Sequence, residues 1–245
     1  MTLASVLASA ALLLSSPDAP SQTYILDSEA WQDARQVSVV GKAADVEVVV
    51  SEVARAELVY PKDAEVLEPQ LAQTEDGLEL TLSDEASEHR VNVMLYLPAD
   101  TELQLRLGQG GVRVEGVATL DINVDIGSVQ VLGSESATIR TTAGDVRLEN
   151  ATGAAQISST SGNLSLDFIQ APSASVSAQT GAGDVELSLP PDADVSVTGT
   201  SASRELSGFD ELLRPDEGRT RLGQGWHEVS LSSEVGSVTF KLKGN

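Results

Sequence analysis

The chain contains no cysteine. That absence excludes disulfides, thiolate metal centres, cysteine nucleophiles and the lipid-bearing cysteine of a bacterial lipoprotein. Histidine is nearly missing as well: His89 and His227 stand far apart, so a zinc centre or a serine triad lacks partners at a recognisable spacing. Aromatic residues are 3% of the chain. With so few, Trp31, Tyr60, Tyr96 and Trp226 read as packing at the ends of a fold rather than as platforms for sugar rings. Basic residues are scarce too, with 15 Lys and Arg against 37 Asp and Glu, for a net charge of −22. A surface this acidic repels nucleic acid and anionic lipid, so neither is expected as a partner. No apolar run reaches the 18 or so residues of a spanning helix, and no long amphipathic helical pattern occurs. The glycine cluster Gly108-Gln109-Gly110-Gly111 leads into a strand, whereas a nucleotide loop leads into a helix.

What the chain does have is a repeat. Gly110, Gly127, Gly144 and Gly162 are spaced by 17, 17 and 18 residues, and Gly183 follows after 21. Two residues after each glycine stand Val112, Val129, Val146, Leu164 and Val185; four after it stand Val114, Val131, Leu148, Leu166 and Leu187. Five before it the column reads Leu105, Ile122, Ile139, Ile157 and Ala178, and seven before it Leu103, Leu120, Ala137, Ala155 and Val176. Each repeat is thus two period-2 strands with a turn at the glycine. The residue after the glycine is Gly111, Ser128, Asp145, Asn163 or Asp184, all turn-formers. Three before it the inward column changes from Leu107 and Val124 to Thr141, Ser159 and Thr180. Those hydroxyls are expected to bond one another or the turn backbone, as buried polar groups require.

A single repeat buries only four or five aliphatic side chains, worth roughly 1.5 to 3 kcal/mol each. Ordering its backbone costs about 1 to 2 kcal/mol per residue, so one repeat cannot fold alone. Stacking gives each strand a ladder above and below. The expected fold is therefore all-β: a parallel β-helix-like solenoid with coils of about 17 to 21 residues and irregular β-rich ends.

Residues 3–14 are apolar and too short to span a bilayer. Small residues follow at Ala19 and Ser21, the pattern of a secretory signal peptide over residues 1–21, although no Lys or Arg precedes the apolar run. The expected organisation is a single solenoid domain over 22–245, with an irregular β-rich part (22–100), regular coils (101–189) and a C-terminal part (190–245). Val37, Val39, Val46 and Val48 take the repeat columns when counted from Ala44, marking a degenerate first coil. Val229, Leu231, Ser233, Val238 and Phe240 take them around Gly236. Between lies a polar excursion, residues 201–225, with Phe209, Leu212 and Leu213. It is expected to be an insertion or a flap that, with the N-terminal part, covers the edge strands of the coils.

Val-x-Val strands, the strand ending in Leu97-Pro98-Ala99, and the corners Ala143-Gly144-Asp145-Val146, Ser161-Gly162-Asn163-Leu164 and Ala182-Gly183-Asp184-Val185 together resemble the bacterial "putative adhesin" family over roughly residues 35–243. That resemblance implies a β-helical domain at the cell envelope. It supplies no catalytic residues, and Gly127-Ser128-Val129 and Gly236-Ser237-Val238 depart from its Gly-Asp or Gly-Asn corner.

Asp121, Asp125, Asp145, Asp184 and Glu186 lie in or near the strands and would suit a polysaccharide lyase or hydrolase if two of them converged. Only Phe168 represents the aromatics among the coils, and Arg106, Arg113, Arg140 and Arg147 are spread over three of them, which favours surface ion pairs. Asp145, Asn163 and Asp184 share a corner column and would offer oxygens to calcium, but turn geometry accounts for them. No catalytic, cofactor or metal residue is assigned. The expected protein is an exported, non-enzymatic envelope protein, periplasmic, surface-bound or extracellular, acting as adhesin or scaffold toward an envelope or extracellular polymer or protein. A carbohydrate-active enzyme on a β-helix and a periplasmic sensor or regulatory partner are the alternatives.

Overall fold

The computed structural model describes residues 5–6, 11–14, 21–27, 31, 34–61, 69–75, 77–82, 90–203, 205–214 and 216–243. Strands dominate them, and no helix among them is long and apolar enough to cross a membrane. The chain divides into two compact units, Met1–Asp125 and Ile126–Asn245.

In the second unit each coil contributes one strand before its corner glycine and one after it. The pre-corner strands Ser136–Ala143, Ala154–Ser161, Val176–Ala182 and His227–Val235 pair in parallel, in that order. The post-corner strands Val129–Leu132, Val146–Ala151, Leu164–Phe168, Val185–Leu189 and Ser237–Leu242 do the same. Register follows the sequence columns. Ile139 lies over Ile157, Ile157 over Ala178, and Ala178 over Leu231; Val146, Leu164, Val185 and Val238 form a second such row. All of these are buried. The solenoid expected from the period is the fold observed.

Close stacking explains the corner glycines. Gly144, Gly162 and Gly183 have φ of 147°, 149° and 140°, and a Cβ on each would fall 2.0 to 2.2 Å from the carbonyl oxygen of the corner glycine one coil earlier. No side chain fits there.

Stacking order departs from chain order at residues 190–245. After Val185–Leu189 the chain skips one position: Val195–Ser201 and Glu205–Ser207 form an outer coil, and His227–Leu242 then returns to fill the gap between it and the coil before. Within the excursion, Glu211–Arg214 and Glu217–Arg221 make an antiparallel hairpin whose second strand covers the free edge of Val195–Ser201. Phe209 packs against Gly199, where a Cβ would meet its ring at 2.2 Å, and its ring centroid lies 6.2 Å from that of Phe240. The excursion is therefore part coil and part cover.

The first unit uses the same device. Gln36–Val50 is one 15-residue strand that runs through a corner. It pairs in parallel with Leu78–Thr81 and Val91–Leu97 on one side, and with Glu102–Gln109 and Val112–Glu115 on the other. Ala44 occupies the corner column, with its carbonyl oxygen 1.7 Å from where a Cβ on Gly110 would stand. Beyond Val91–Leu97 lie antiparallel strands, Arg55–Pro61, then Ser21–Leu26, then Ala11–Leu14. Gln70–Gln73 and Ser5–Val6 flank Leu78–Thr81 likewise. Trp31 is buried, and Tyr24 and Tyr60 meet edge to face at 5.6 Å. Burial raises the Tyr60 hydroxyl to a pKa of about 12, with Tyr24 adding to the shift.

Candidate functional site

The corner column is a ladder of side-chain oxygens on backbone amides. Asp45 Oδ1 accepts from Gly111 N at 2.7 Å in the first unit. In the second, Asp145 accepts from Asn163 N at 2.8 Å, Asn163 from Asp184 N at 2.9 Å, and Asp184 from both Ser237 N and Ser237 Oγ at 2.7 and 2.8 Å. Each coil thus caps the next. One oxygen of each of these side chains is bonded to the next coil, and no group of three or more metal-binding side chains occurs among the described residues.

The backbone and side-chain hydrogen bonds from Ser237 hold the Asp184 carboxyl below the usual carboxylate range. A carboxylate shifted this way contributes stability that is present above its unfolded pKa and is lost as pH falls through the folded value. Replacing Asp184 by Asn keeps the acceptor, as Asn163 already shows, and removes the titration. The expected result is a urea midpoint close to wild type at pH 7 and a smaller fall than wild type toward pH 3. Asp184→Ala removes the acceptor at this exposed position, with an expected cost of about 1 kcal/mol.

Inside the corner, the hydroxyl column behaves in two ways. Thr180 Oγ1 donates to the carbonyl of Gly162 at 2.9 Å, Ser233 Oγ to that of Gly183 at 2.7 Å, and Ser201 Oγ to that of Gly236 at 2.8 Å. These meet the expectation of bonding to the turn. Thr141 and Ser159, in the same column and buried, have no hydrogen-bond partner for their hydroxyls. Thr180→Val is accordingly expected to cost about 1 to 2 kcal/mol, and Thr141→Val to be neutral or stabilising, because an orphan hydroxyl is exchanged for a methyl. Thermal unfolding of the two variants side by side checks this.

Within the second unit the candidate acids are engaged separately. Asp121 and Asp125 belong to the first unit, and Asp125 is exposed. Asp145 and Asp184 are corner acceptors, and Glu186 pairs with Lys241 at 2.7 Å. Arg147 pairs with Glu149 at 2.7 Å, the surface pairing expected of it. His89 lies outside the described residues, and His227 begins the strand His227–Val235.

What the second unit offers is a face. Outward rows on the pre-corner sheet run Thr138, Gln156, Ser177, Ser230, Thr198 and Arg140, Ser158, Gln179, Ser232, Thr200, one residue per strand. Neighbouring strands stand about 4.8 Å apart, so hydroxyls and amides recur at that interval. At its outer margin the face reaches the strand Glu217–Arg221, where Thr198 is opposite Arg219 and Ser196 opposite Arg221. There Ser196, Asp210, Arg219, Arg221 and Gly225 line a concavity of about 610 Å³.

Its walls are fixed by local bonds. Gly218 and Thr220 point inward, which turns Arg219 and Arg221 out. Asp210 is held by its amide on Thr220 Oγ1 at 2.9 Å. Arg221 donates from Nε to the carbonyl of Gln224 at 3.0 Å and from Nη2 to the same oxygen. Asp194 Oδ1 clamps the following turn by accepting from Gly225 N at 2.6 Å and Trp226 N at 3.4 Å. Trp226 does not pack as the sequence reading expected: it is 78% exposed, whereas Trp31 is 1% exposed. Sequence reasoning passed over Arg219 and Arg221 as a polar excursion. Their signal was an Arg-x-Arg alternation in a chain with little basic charge.

Residues 101–240 match the family model described as Toastrack DUF4097. Among solved structures, a "putative adhesin" from Bacteroides fragilis is similar at 15% identity and a TM-score of 0.50, over 93% of this chain and 99% of that one. A "putative cell adhesion protein" from Clostridium sporogenes is similar at 12% identity and a TM-score of 0.40, over 91% and 100%. A "putative lipid binding protein" from Parabacteroides distasonis follows at 11% and 0.38, over 93% and 96%. At these identities the likeness concerns the fold alone. No curated protein matches the chain.

Proposed function

The chain belongs to the Toastrack DUF4097 family, and from that premise we propose that it is an exported, non-enzymatic binding module of the cell envelope, an adhesin or scaffold. The observation that carries the reading is the outward face of the pre-corner sheet, ten hydroxyl, amide and guanidinium side chains in two straight rows. Rigid stacking preorganises those groups, so a polymer laid across them loses little freedom to protein reorganisation. The engagement of Asp145 and Asp184 with backbone amides and of Glu186 with Lys241 favours binding over acid–base chemistry at those acids. The Bacteroides fragilis structure called a "putative adhesin" has a similar fold.

Export rests on residues 3–14 and the small residues Ala19 and Ser21. Removing residues 1–21 would take away Ala11–Leu14, the partner of Thr23–Leu26, and leave that strand as an edge. The test is sedimentation of the purified chain, without residues 1–21, with cell-envelope material and with extracellular polymer from the same cells. Association is expected to saturate and to weaken when Gln156, Ser177 and Ser230 are together replaced by Glu, which changes the face and not the core. No association with any fraction removes the binding role and leaves the fold.

A further inference from the structure

The geometry points to a second, more selective site on this module: the concavity between Val195–Ser201 and the excursion binds a sugar that carries a single carboxylate, with Arg219 and Arg221 taking the acid and Trp226 the ring face. The inference rests on the surface-binding reading and names a ligand class for it.

Charge is the first argument. In a chain of net charge −22, two arginines stand on alternate positions of one five-residue strand, both turned outward and exposed. The Arg219 guanidinium has neither a hydrogen bond nor an ion pair among the described residues, so its planar fork is available to a carboxylate, which such a fork grips through two parallel bonds. Arg221 is oriented rather than neutralised, because its Nε and Nη2 rest on the uncharged carbonyl of Gln224. An arginine pair serving only the fold would be expected to sit on the abundant acids, as Arg147 does on Glu149.

Shape is the second. About 610 Å³ falls within the range of small-ligand sites and accommodates one or two sugar rings. Gly225 forms part of the wall: a Cβ there would come within 3.1 Å of Arg221 Nε and 3.5 Å of Ser196 Cβ, so the missing side chain leaves room beside the guanidinium. Asp210 and Ser196 supply an acceptor and a hydroxyl for sugar hydroxyls. Trp226 follows Gly225 directly, its backbone is tied to Asp194, and its ring is the most exposed large apolar group among the described residues. A ring with a polar handle and an apolar face, exposed and next in the chain to Gly225 of the polar hollow, suits the mixed surface of a sugar.

The acidic surroundings set the limit on charge. Glu228 lies opposite Ser196 on the neighbouring strand, Glu211 is in register with Arg219 on the hairpin, and Asp210 is in the hollow itself. A densely charged polyanion meets the field of the whole protein, while one carboxylate seated between two guanidinium groups is within the ~8 Å over which their local charge acts at physiological ionic strength.

Isothermal titration of the full chain with a glucuronate-terminated disaccharide, and with the methyl ester of the same disaccharide, tests this. The acid is expected to bind at least tenfold tighter than the ester. Arg219→Gln should remove that preference, Arg219→Lys should keep only part of it, and Trp226→Ala should weaken acid and ester alike by fivefold or more. Circular dichroism midpoints equal to wild type show that these surface variants fold. Equal affinity for acid and ester, no binding of the acid, unchanged affinity in Arg219→Gln, or displacement by equimolar inorganic phosphate would each overturn the site. Acid binding without envelope sedimentation sinks the surface-binding reading and keeps the site. Sedimentation without acid preference does the reverse.

Discussion

Gly162→Ala is expected to destabilise the second unit by about 3 kcal/mol or more, read as a lower urea midpoint and a lower melting temperature. At φ 149° an L side chain is strained in any case. Here its Cβ would also stand 2.0 Å from the carbonyl oxygen of Gly144, 2.6 Å from that carbonyl carbon and 3.2 Å from Asp145 N. All three are backbone atoms, held by bonds on either side: Gly144 N donates to Ser161 O at 2.9 Å and Gly162 N to Ala182 O at 2.8 Å. Relief of the clash must spread the two coils at the corner. That would stretch the Asn163 N to Asp145 bond and the Val146 N to Asn163 O bond, at 2.8 and 2.9 Å. Gly111→Ala is the control. A Cβ there meets only Asp45 Oδ1, at 3.4 Å, an ordinary contact, and the expected change is within about 0.5 kcal/mol. Equal effects at the two positions would mean that glycine acts at the corner through flexibility of the unfolded chain and not through the close approach of coils.

Phe168→Ala is expected to cost about 3 to 5 kcal/mol, with Phe168→Leu well below that. Phe168 is completely buried at the end of Leu164–Phe168 and lies in register with Ala151. That register is reached through an irregularity between Leu148 and Ala151, where Asn150 takes φ 55°. The bulge thus sets the small side chain of Ala151 beside the large ring, and neither residue belongs to the regular aliphatic columns. Removing the ring leaves a void between strands whose spacing is fixed by their ladders, so little collapse can offset the loss. Circular dichroism during denaturation measures it. A cost under about 1 kcal/mol would show that the coil closes over the gap, and that packing here is looser than the ladders imply.

Much of this architecture was legible because a wound fold repeats its instructions. Glycine at the corner, aliphatics two and four residues after it and five and seven before it, and an Asp or Asn beside it recur coil after coil. Observed pairings such as Ile139 with Ile157 and Leu166 with Leu187 follow those columns residue by residue. Column character could not tell which hydroxyls would be satisfied. Thr141 and Thr180 are the same residue in the same column, yet only Thr180 reaches a corner carbonyl, a difference set by the local fit of each coil on its neighbour.

Two further features were illegible for one shared cause. Every coil presents the same kind of apolar face and the same open ladder, so local pattern cannot say which coil lies next to which. Placing His227–Leu242 between Val176–Leu189 and Val195–Ser207 was decided by long-range fit. The concavity is a product of that order, since it forms where the antiparallel strand Glu217–Arg221 meets the coil it covers. Arg219, Arg221 and Trp226 carry no periodic signal, and exposure at Trp226 depends on what the tertiary structure leaves uncovered.

Composition and period by themselves determined that this chain winds into stacked parallel strands, rich in acid and without a thiol, because a two-residue alternation broken at fixed intervals by glycine has one way to bury its apolar half. Tertiary structure alone decided the sequence of the coils, the fate of individual hydroxyls and the place of the basic hollow. Those depend on distances between segments remote in the chain, and such distances are set only when the whole unit closes.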